Sequence, residues 1–220
     1  MARLLVFDLD GTLVDSRRDL ADSANALIVE RGGAPLPVDA ITAMVGEGAA
    51  KLVLRALLAA GLGRDDLEAA LARFLELYDD RLLAHTRLYE GTREVLDAAA
   101  ARVPLAVLTN KPQRHTERLL DGLAVRPAFR WVIGGDTPYG RKPDPAGLSH
   151  LIAAAGTTAA DTVMVGDSAI DLRTARAAGT RVCLVRYGFG FSTAQGELTG
   201  TEMLADRAGD LTRLLHLHSA

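Results

Sequence analysis

Asp8 and Asp10 stand two positions apart at the end of the apolar run RLLVF, in the stretch FDLDGTLVDS. Burying an unpaired carboxylate costs several kcal/mol or forces it to take up a proton. A core strand that runs straight into two acids must therefore supply something to compensate them. In an extended segment, residues two apart point to the same side of the chain, so Asp8 and Asp10 form a pair. Asp167, which closes the later run TVMV, can converge on them from a neighbouring strand, with Asp171 shortly after it. A cluster of like charges calls for a cation. The candidate ligands are hard oxygens with no His or Cys beside them, which favours Mg²⁺ over zinc or copper.

A second group of residues suits an anion. Thr109 and Asn110 follow PLAVL and stand just before Pro112, where a helix is expected to begin. A hydroxyl and free amides there would face whatever lies above the strand end. Lys142, in GRKPDP, adds a compact positive charge suited to phosphate. Metal-binding acids and anion-binding groups on one sheet edge point to phosphate chemistry.

The elements that must position these groups follow from hydrophobic patterning. RLLVFD, PLAVLT, RWVIGG, TVMVGD and RVCLV are short apolar runs bounded by turn residues, and helical patterns alternate with them. That alternation predicts an α/β fold, a parallel sheet buried on both faces by helices. In such sheets ligands bind beyond the carboxyl ends of the strands, where every residue named above falls. PQRHTERLLDGL opens with Pro112, and SAIDLRTARAAG is expected to end at Gly179.

Residues 16–85 read differently, as helical segments without a convincing strand. Ser16 and Asp19 suggest a capping box, and DDLEAALARFLELYDDRLLAH places Leu67, Leu71, Phe74, Leu75, Tyr78 and Leu82 on one face. The expectation is a core domain of residues 1–15 and 86–220 with a helical domain of residues 16–85 inserted in it. GFGFSTAQGELTGTEM reads as a loop before a last helix at LTRLLHL.

Composition narrows the partners. The net charge of -3, with both signs scattered along 220 residues, provides no basic field for nucleic acid. No apolar run approaches the roughly 20 residues that span a membrane. The single cysteine, Cys183, lies in an apolar run, so no intrachain disulfide is possible and a cytoplasmic, reducing compartment is expected. A small molecule is the expected partner of a monomer or homodimer.

DLDGTLVDS, LTNK, RKPDP and GDSAID, in that order, resemble the four motifs of the haloacid dehalogenase superfamily, in its phosphatase branch. TNKP, GGDTPYGRKPDPAGL and TARAAG look most like bacterial phosphoglycolate phosphatases. The resemblance covers essentially the whole chain and implies a Rossmann-like core with an inserted helical cap of the C1 type, which closes over the site. It implies hydrolysis of a small phosphorylated metabolite, 2-phosphoglycolate first, to glycolate and phosphate. Asp8 would be the nucleophile that forms an aspartyl-phosphate, and Asp10 the general acid and then base. Mg²⁺ would be held by the Asp8 carboxylate, the Asp10 carbonyl and Asp167, with Asp171 in or near the shell. Thr109, Asn110 and Lys142 would hold the phosphoryl oxygens, and the cap loop Gly46, Glu47 and Gly48 would meet the leaving part of the substrate.

Alternatives share parts of this pattern. Another phosphatase substrate (a sugar phosphate, nucleotide or pyrophosphate) or a β-phosphoglucomutase-like transfer keeps the same intermediate. A receiver-like signalling domain also combines Asp, Thr and Lys, but carries its acceptor on a later strand. Asp171 could be an acid in a helix first turn and no more, and Gly46 and Gly48 a plain helix connection. Phe129 and Trp131 read as core or strand edge, and His85, His115, His150, His216 and His218 as surface or loop residues.

Overall fold

Leu4, Leu5, Val6 and Phe7 are all fully buried. Burying such side chains stabilises by about 1.5–3 kcal/mol each, which anchors the strand that carries Asp8 and Asp10. The computed structural model describes residues 2–217. Its elements run β1 (Leu4–Phe7), β2 (Val14–Asp15), α1 (Arg17–Glu30), α2 (Val38–Thr42), α3 (Ala49–Ala59), α4 (Leu67–Asp79), β3 (Arg87–Leu88) and α5 (Thr92–Ala100). There follow β4 (Leu105–Leu108), α6 (Gln113–Gly122), β5 (Trp131–Ile133), α7 (Ala146–Ala154), β6 (Thr162–Gly166), α8 (Ala169–Ala178), β7 (Arg181–Val185), α9 (Phe191–Ala194), β8 (Met203–Ala205) and α10 (Asp210–Leu214). The chain forms two compact units, one from the stretches up to Asp15 and from Leu88 onward, the other from Ser16–Arg87.

The first unit is built on a six-stranded sheet of order β5-β4-β1-β6-β7-β8, and every adjacent pair is parallel. Alternate residues of the strands face opposite layers. Leu4 and Val6, with Ala106, Leu108, Met164 and Leu184, belong to a buried cluster that includes Leu148 and Leu151 of α7 and Leu172 and Ala175 of α8. Phe7, of the other alternation, meets Phe129 edge-on, with ring centroids 6.3 Å apart. The strand order reverses at β1: the chain moves outward through β4 and β5, then returns to β6 on the other side. Such a switch point leaves a crevice beyond the strand ends. Phe7 is in register with Val107 on one side and Val165 on the other, so the residues after β1, β4 and β6 emerge side by side.

The sheet has one strand more than the apolar runs suggest. Within the stretch expected to be a loop, α9 forms over four residues, and Met203 begins β8 on the sheet edge beside β7. β8 is the three-residue run MLA, too short to mark a strand by pattern, and only its last residue is buried. Gly179 caps α8 at φ +71° as expected. Phe129 is buried and Trp131 lies half-buried on edge strand β5. His115 is buried in α6, contrary to expectation, because it falls on the inward face with Thr116, Leu119 and Leu120. His85, His150 and His216 are exposed, and His218 lies outside the described residues.

In the second unit α1 packs on α2, α3 and α4, and α3 on α4. The buried face of α4 is Ala70, Phe74, Leu77 and Tyr78, with the two rings stacked at 5.9 Å; Leu67, Leu71 and Leu75 are only half-buried. The helix ends at Asp79, so the expected continuous stripe to Leu82 is rotated, although Leu82 is itself buried in the turn that follows. No capping box forms at Ser16. Asp19 is instead fully buried and accepts hydrogen bonds from the backbone N–H groups of His85 and Thr86 and from the Thr86 hydroxyl, at 2.7–3.1 Å. This satisfied carboxylate ties the last residues of the unit to its first helix.

Candidate active site

β1, β4 and β6 deliver Asp8, Thr109 and Asp167 to one edge of the sheet. The Asp8 N–H continues the ladder by donating to the Val165 carbonyl at 2.8 Å, which fixes where its side chain leaves the strand. One carboxylate oxygen each from Asp8, Asp167 and Asp171 lies within 4.8 Å of the others, and all three residues are buried. Lys142 bridges the group, with Nζ 2.7 Å from Asp8 Oδ1 and 2.6 Å from Asp171 Oδ1.

One buried ammonium does not balance three carboxylates. Burial pushes the Asp8 carboxyl up to about 6; Lys142 pulls it down and Asp171 pushes it further up. Asp167 is raised well above the usual carboxylate range, first by burial and then by the charges of Asp171 and Asp8. Burial works against the Lys142 ammonium, yet the fields of Asp171 and Asp8 outweigh it and hold its pKa above the ordinary lysine value. The cluster therefore has unmet demand for positive charge. Its donors are carboxylate oxygens close enough to share one small cation, and a hard divalent ion fits that set.

The surrounding backbone is shaped around Asp167. Gly11 turns the chain at φ +87°, and a Cβ there would overlap the Asp167 carboxylate. A Cβ on Gly188 would overlap both the Asp167 side chain and the Gly11 carbonyl, while the Gly190 N–H donates to Asp167 Oδ2 at 2.7 Å. Asp171 Oδ2 accepts from the N–H groups of Asp167 and Ser168 and from the Ser168 hydroxyl, at 3.2, 3.1 and 2.7 Å. With its other oxygen on Lys142, Asp171 has protein partners at both ends and so orients Lys142 and the β6–α8 turn.

Asp10 faces a different partner. Its two carboxylate oxygens lie 3.1 and 3.0 Å from Nζ of Lys111. At β4, the Thr109 N–H donates to the Ile133 carbonyl at 3.0 Å and its Oγ1 accepts from the Lys111 N–H at 3.2 Å. Asn110 Nδ2 donates to the Lys142 carbonyl at 2.9 Å, which joins the β4 end to the lysine segment. Thr109, Asn110, Lys111 and Lys142 are all buried.

Gly46, Glu47 and Gly48 belong to the second unit, at the start of α3. Gly46 and Gly48 have φ +118° and +93°. Glu47 forms ion pairs with Lys51 and Arg55 of α3, and these hydrogen bonds hold its carboxyl below the usual range. The Glu47 and Lys51 charges are thus spent largely on each other, and Arg18 is paired with Asp22 at 2.8 Å.

Lys111 and the 187–190 turn went unrecognised as site elements in the sequence. Lys111 had one signal, a cation that directly follows Thr109 and Asn110 at a strand end and precedes Pro112. Tyr187, Gly188 and Gly190 had none, since only the folded chain brings them against Asp167 and brings the Tyr187 hydroxyl to the Thr12 carbonyl at 3.0 Å.

A family model described as haloacid dehalogenase-like hydrolase matches residues 5–185, which includes all of these site residues except Tyr187, Gly188 and Gly190. The chain belongs to that family. A phosphoglycolate phosphatase of Rhodospirillum rubrum is 45% identical over 196 residues, 86% of this chain and 81% of that protein. Phosphoglycolate phosphatase 1 of Pseudomonas aeruginosa is 39% identical over 216 residues, 96% of this chain and 79% of that one. A crystal structure described as a predicted phosphoglycolate phosphatase from Haemophilus somnus 129Pt superposes with TM-score 0.91 at 30% identity, over 97% of this chain and 98% of that one. Membership of the haloacid dehalogenase-like family makes the chain a hydrolase and removes the receiver-like alternative. Among the described residues, no helix is long and apolar enough to cross a membrane.

Proposed function

We propose that the protein is a Mg²⁺-dependent phosphomonoesterase of the cytoplasm that hydrolyses 2-phosphoglycolate to glycolate and phosphate. The observation that carries the chemistry is the Asp8 carboxylate, buried at the end of the central strand, paired with Lys142 at 2.7 Å and clustered with Asp167 and Asp171. The names of the relatives support the substrate.

In this reading an Asp8 oxygen attacks phosphorus, the bond from phosphorus to the ester oxygen breaks, and the phosphoryl group passes to Asp8. Asp10 gives its proton to the departing alkoxide, then takes one from the water that attacks the aspartyl-phosphate and frees phosphate. Lys142, the Thr109 hydroxyl and the Asn110 backbone N–H hold the phosphoryl oxygens, so charge that develops in transfer meets donors already in place. Asp8, Asp167 and the Asp10 carbonyl would hold Mg²⁺, with Asp171 behind them. The ion, when bound, offsets negative charge on the transferring phosphoryl group. No single device suffices: phosphate-monoester hydrolysis needs acceleration up to about 10²¹, whereas one general acid supplies roughly 10²–10⁴.

A phosphate-release screen over small phosphorylated acids, sugar phosphates and nucleotides tests this. Phosphoglycolate is expected to rank first, with release stopped by a chelator and restored by Mg²⁺. A sugar phosphate far ahead of phosphoglycolate would overturn the substrate, and undiminished release under chelation would overturn the metal.

Metal binding should also be visible in stability. A carboxyl whose folded pKa is raised stabilises the folded state below its unfolded pKa and loses that contribution as pH rises through the folded value. For Asp8 the loss runs from about 4 to about 6, and Asp167, raised in the same direction by burial and by the charges of Asp171 and Asp8, adds a loss of the same sign. Mg²⁺ reverses it by holding both groups ionised. Thermal melts are therefore expected to show a larger Mg²⁺-induced rise in Tm at pH 8 than at pH 5; an equal rise at both would count against these ligands.

A further inference from the structure

Lys111 is held beside Asp10, and phosphoryl transfer as derived above makes no use of it. Its side chain is only 3% exposed. Its backbone is pinned on both sides: its N–H donates to Thr109 Oγ1 at 3.2 Å and its carbonyl accepts from the Gly135 N–H at 2.8 Å. A lysine ammonium carries three donors and no acceptor, and one removed from water depends on anions for its solvation. The two buried lysines divide their work. Lys142 is committed to Asp8 and Asp171, on the phosphoryl side. Lys111 sits 3.0 Å from the carboxylate of Asp10, the group that faces the leaving oxygen in the proposed reaction.

The ammonium is thus one hydrogen bond beyond the partner of the leaving oxygen. In phosphoglycolate a single methylene separates that oxygen from a carboxylate, which brings a second negative charge close to the Asp10–Lys111 pair. We propose that Lys111 is a specificity-determining residue that binds the carboxylate of the leaving group and selects phosphate esters of short 2-hydroxy acids. This rests on the phosphoglycolate reading and extends it to a named residue. A buried cation favours a charged leaving group over a neutral one of equal length, because the neutral ester leaves the ammonium less well paired.

The test compares kcat/KM for phosphoglycolate with that for 2-hydroxyethyl phosphate, which carries a neutral hydroxymethyl group in place of the carboxylate. Wild-type protein is expected to favour phosphoglycolate strongly, and Lys111→Met to lower that ratio by about 10–100-fold, mostly through KM for phosphoglycolate. Lys111→Arg keeps the charge and should retain a ratio within about threefold of wild type. Lys111→Gln, which can still hydrogen-bond Asp10, reports the same loss of ratio if the Met variant does not fold. A wild-type ratio near one would overturn the phosphoglycolate reading and the role of Lys111 with it. A strong wild-type preference that survives in both Lys111→Met and Lys111→Gln would overturn the role of Lys111 alone.

Discussion

Asp8→Asn is expected to abolish phosphate release, a loss on the order of 10⁶-fold in kcat, while the protein remains folded. An amide keeps the shape of the side chain but cannot carry the phosphoryl group as an acyl phosphate. Folding should tolerate the change for a reason visible in the site. Lys142 retains Asp171 at 2.6 Å, so its ammonium keeps an anionic partner. Asp167 loses a neighbour whose charge raises its pKa. Without metal, the variant should melt at or above the wild-type temperature. Steady-state phosphate release read alongside thermal denaturation checks both halves; full activity would refute Asp8 as nucleophile.

Asp10→Asn is expected to cost about 10²–10⁴-fold with phosphoglycolate, whose alkoxide needs a proton as it departs. With p-nitrophenyl phosphate, whose phenolate leaves without one, the loss should be much smaller. The two acids differ in surroundings. Asp8 shares its cluster with two other carboxylates and Lys142, whereas Asp10 turns to Lys111. Equal losses with both esters would remove the acid role.

The positions of these groups were legible in the sequence because a parallel sheet is a strict ruler. Short apolar runs between turn residues read as strands, and three of them are broken by Asp8, Thr109 and Asp167. Asp8, Thr109 and Asp167 thus fall on adjacent strand ends at the reversal of strand order. Contacts set by tertiary packing alone were not legible. Asp19 has the spacing of a capping acid from Ser16, yet the N–H groups of residues 85 and 86 and the Thr86 hydroxyl claim it, offering the buried carboxylate several donors at once. Glu47 has the look of a substrate contact, but Lys51 and Arg55 one and two turns along α3 take its charge. Lys111 was hidden in plain view, as a lysine in LTNKP reads as solvated until the fold places Asp10 beside it. β8 was missed because its three residues, although all apolar, make too short a pattern to mark a strand.

Covalent transfer to Asp8 can be read directly by rapid acid quench during turnover of phosphoglycolate with Mg²⁺, followed by borohydride reduction and peptide mass spectrometry. Reduction of an aspartyl-phosphate yields homoserine, and this is expected at position 8 and to disappear once substrate is exhausted. Homoserine at another aspartate, or none at any time while phosphate is being released, would contradict the nucleophilic role of Asp8.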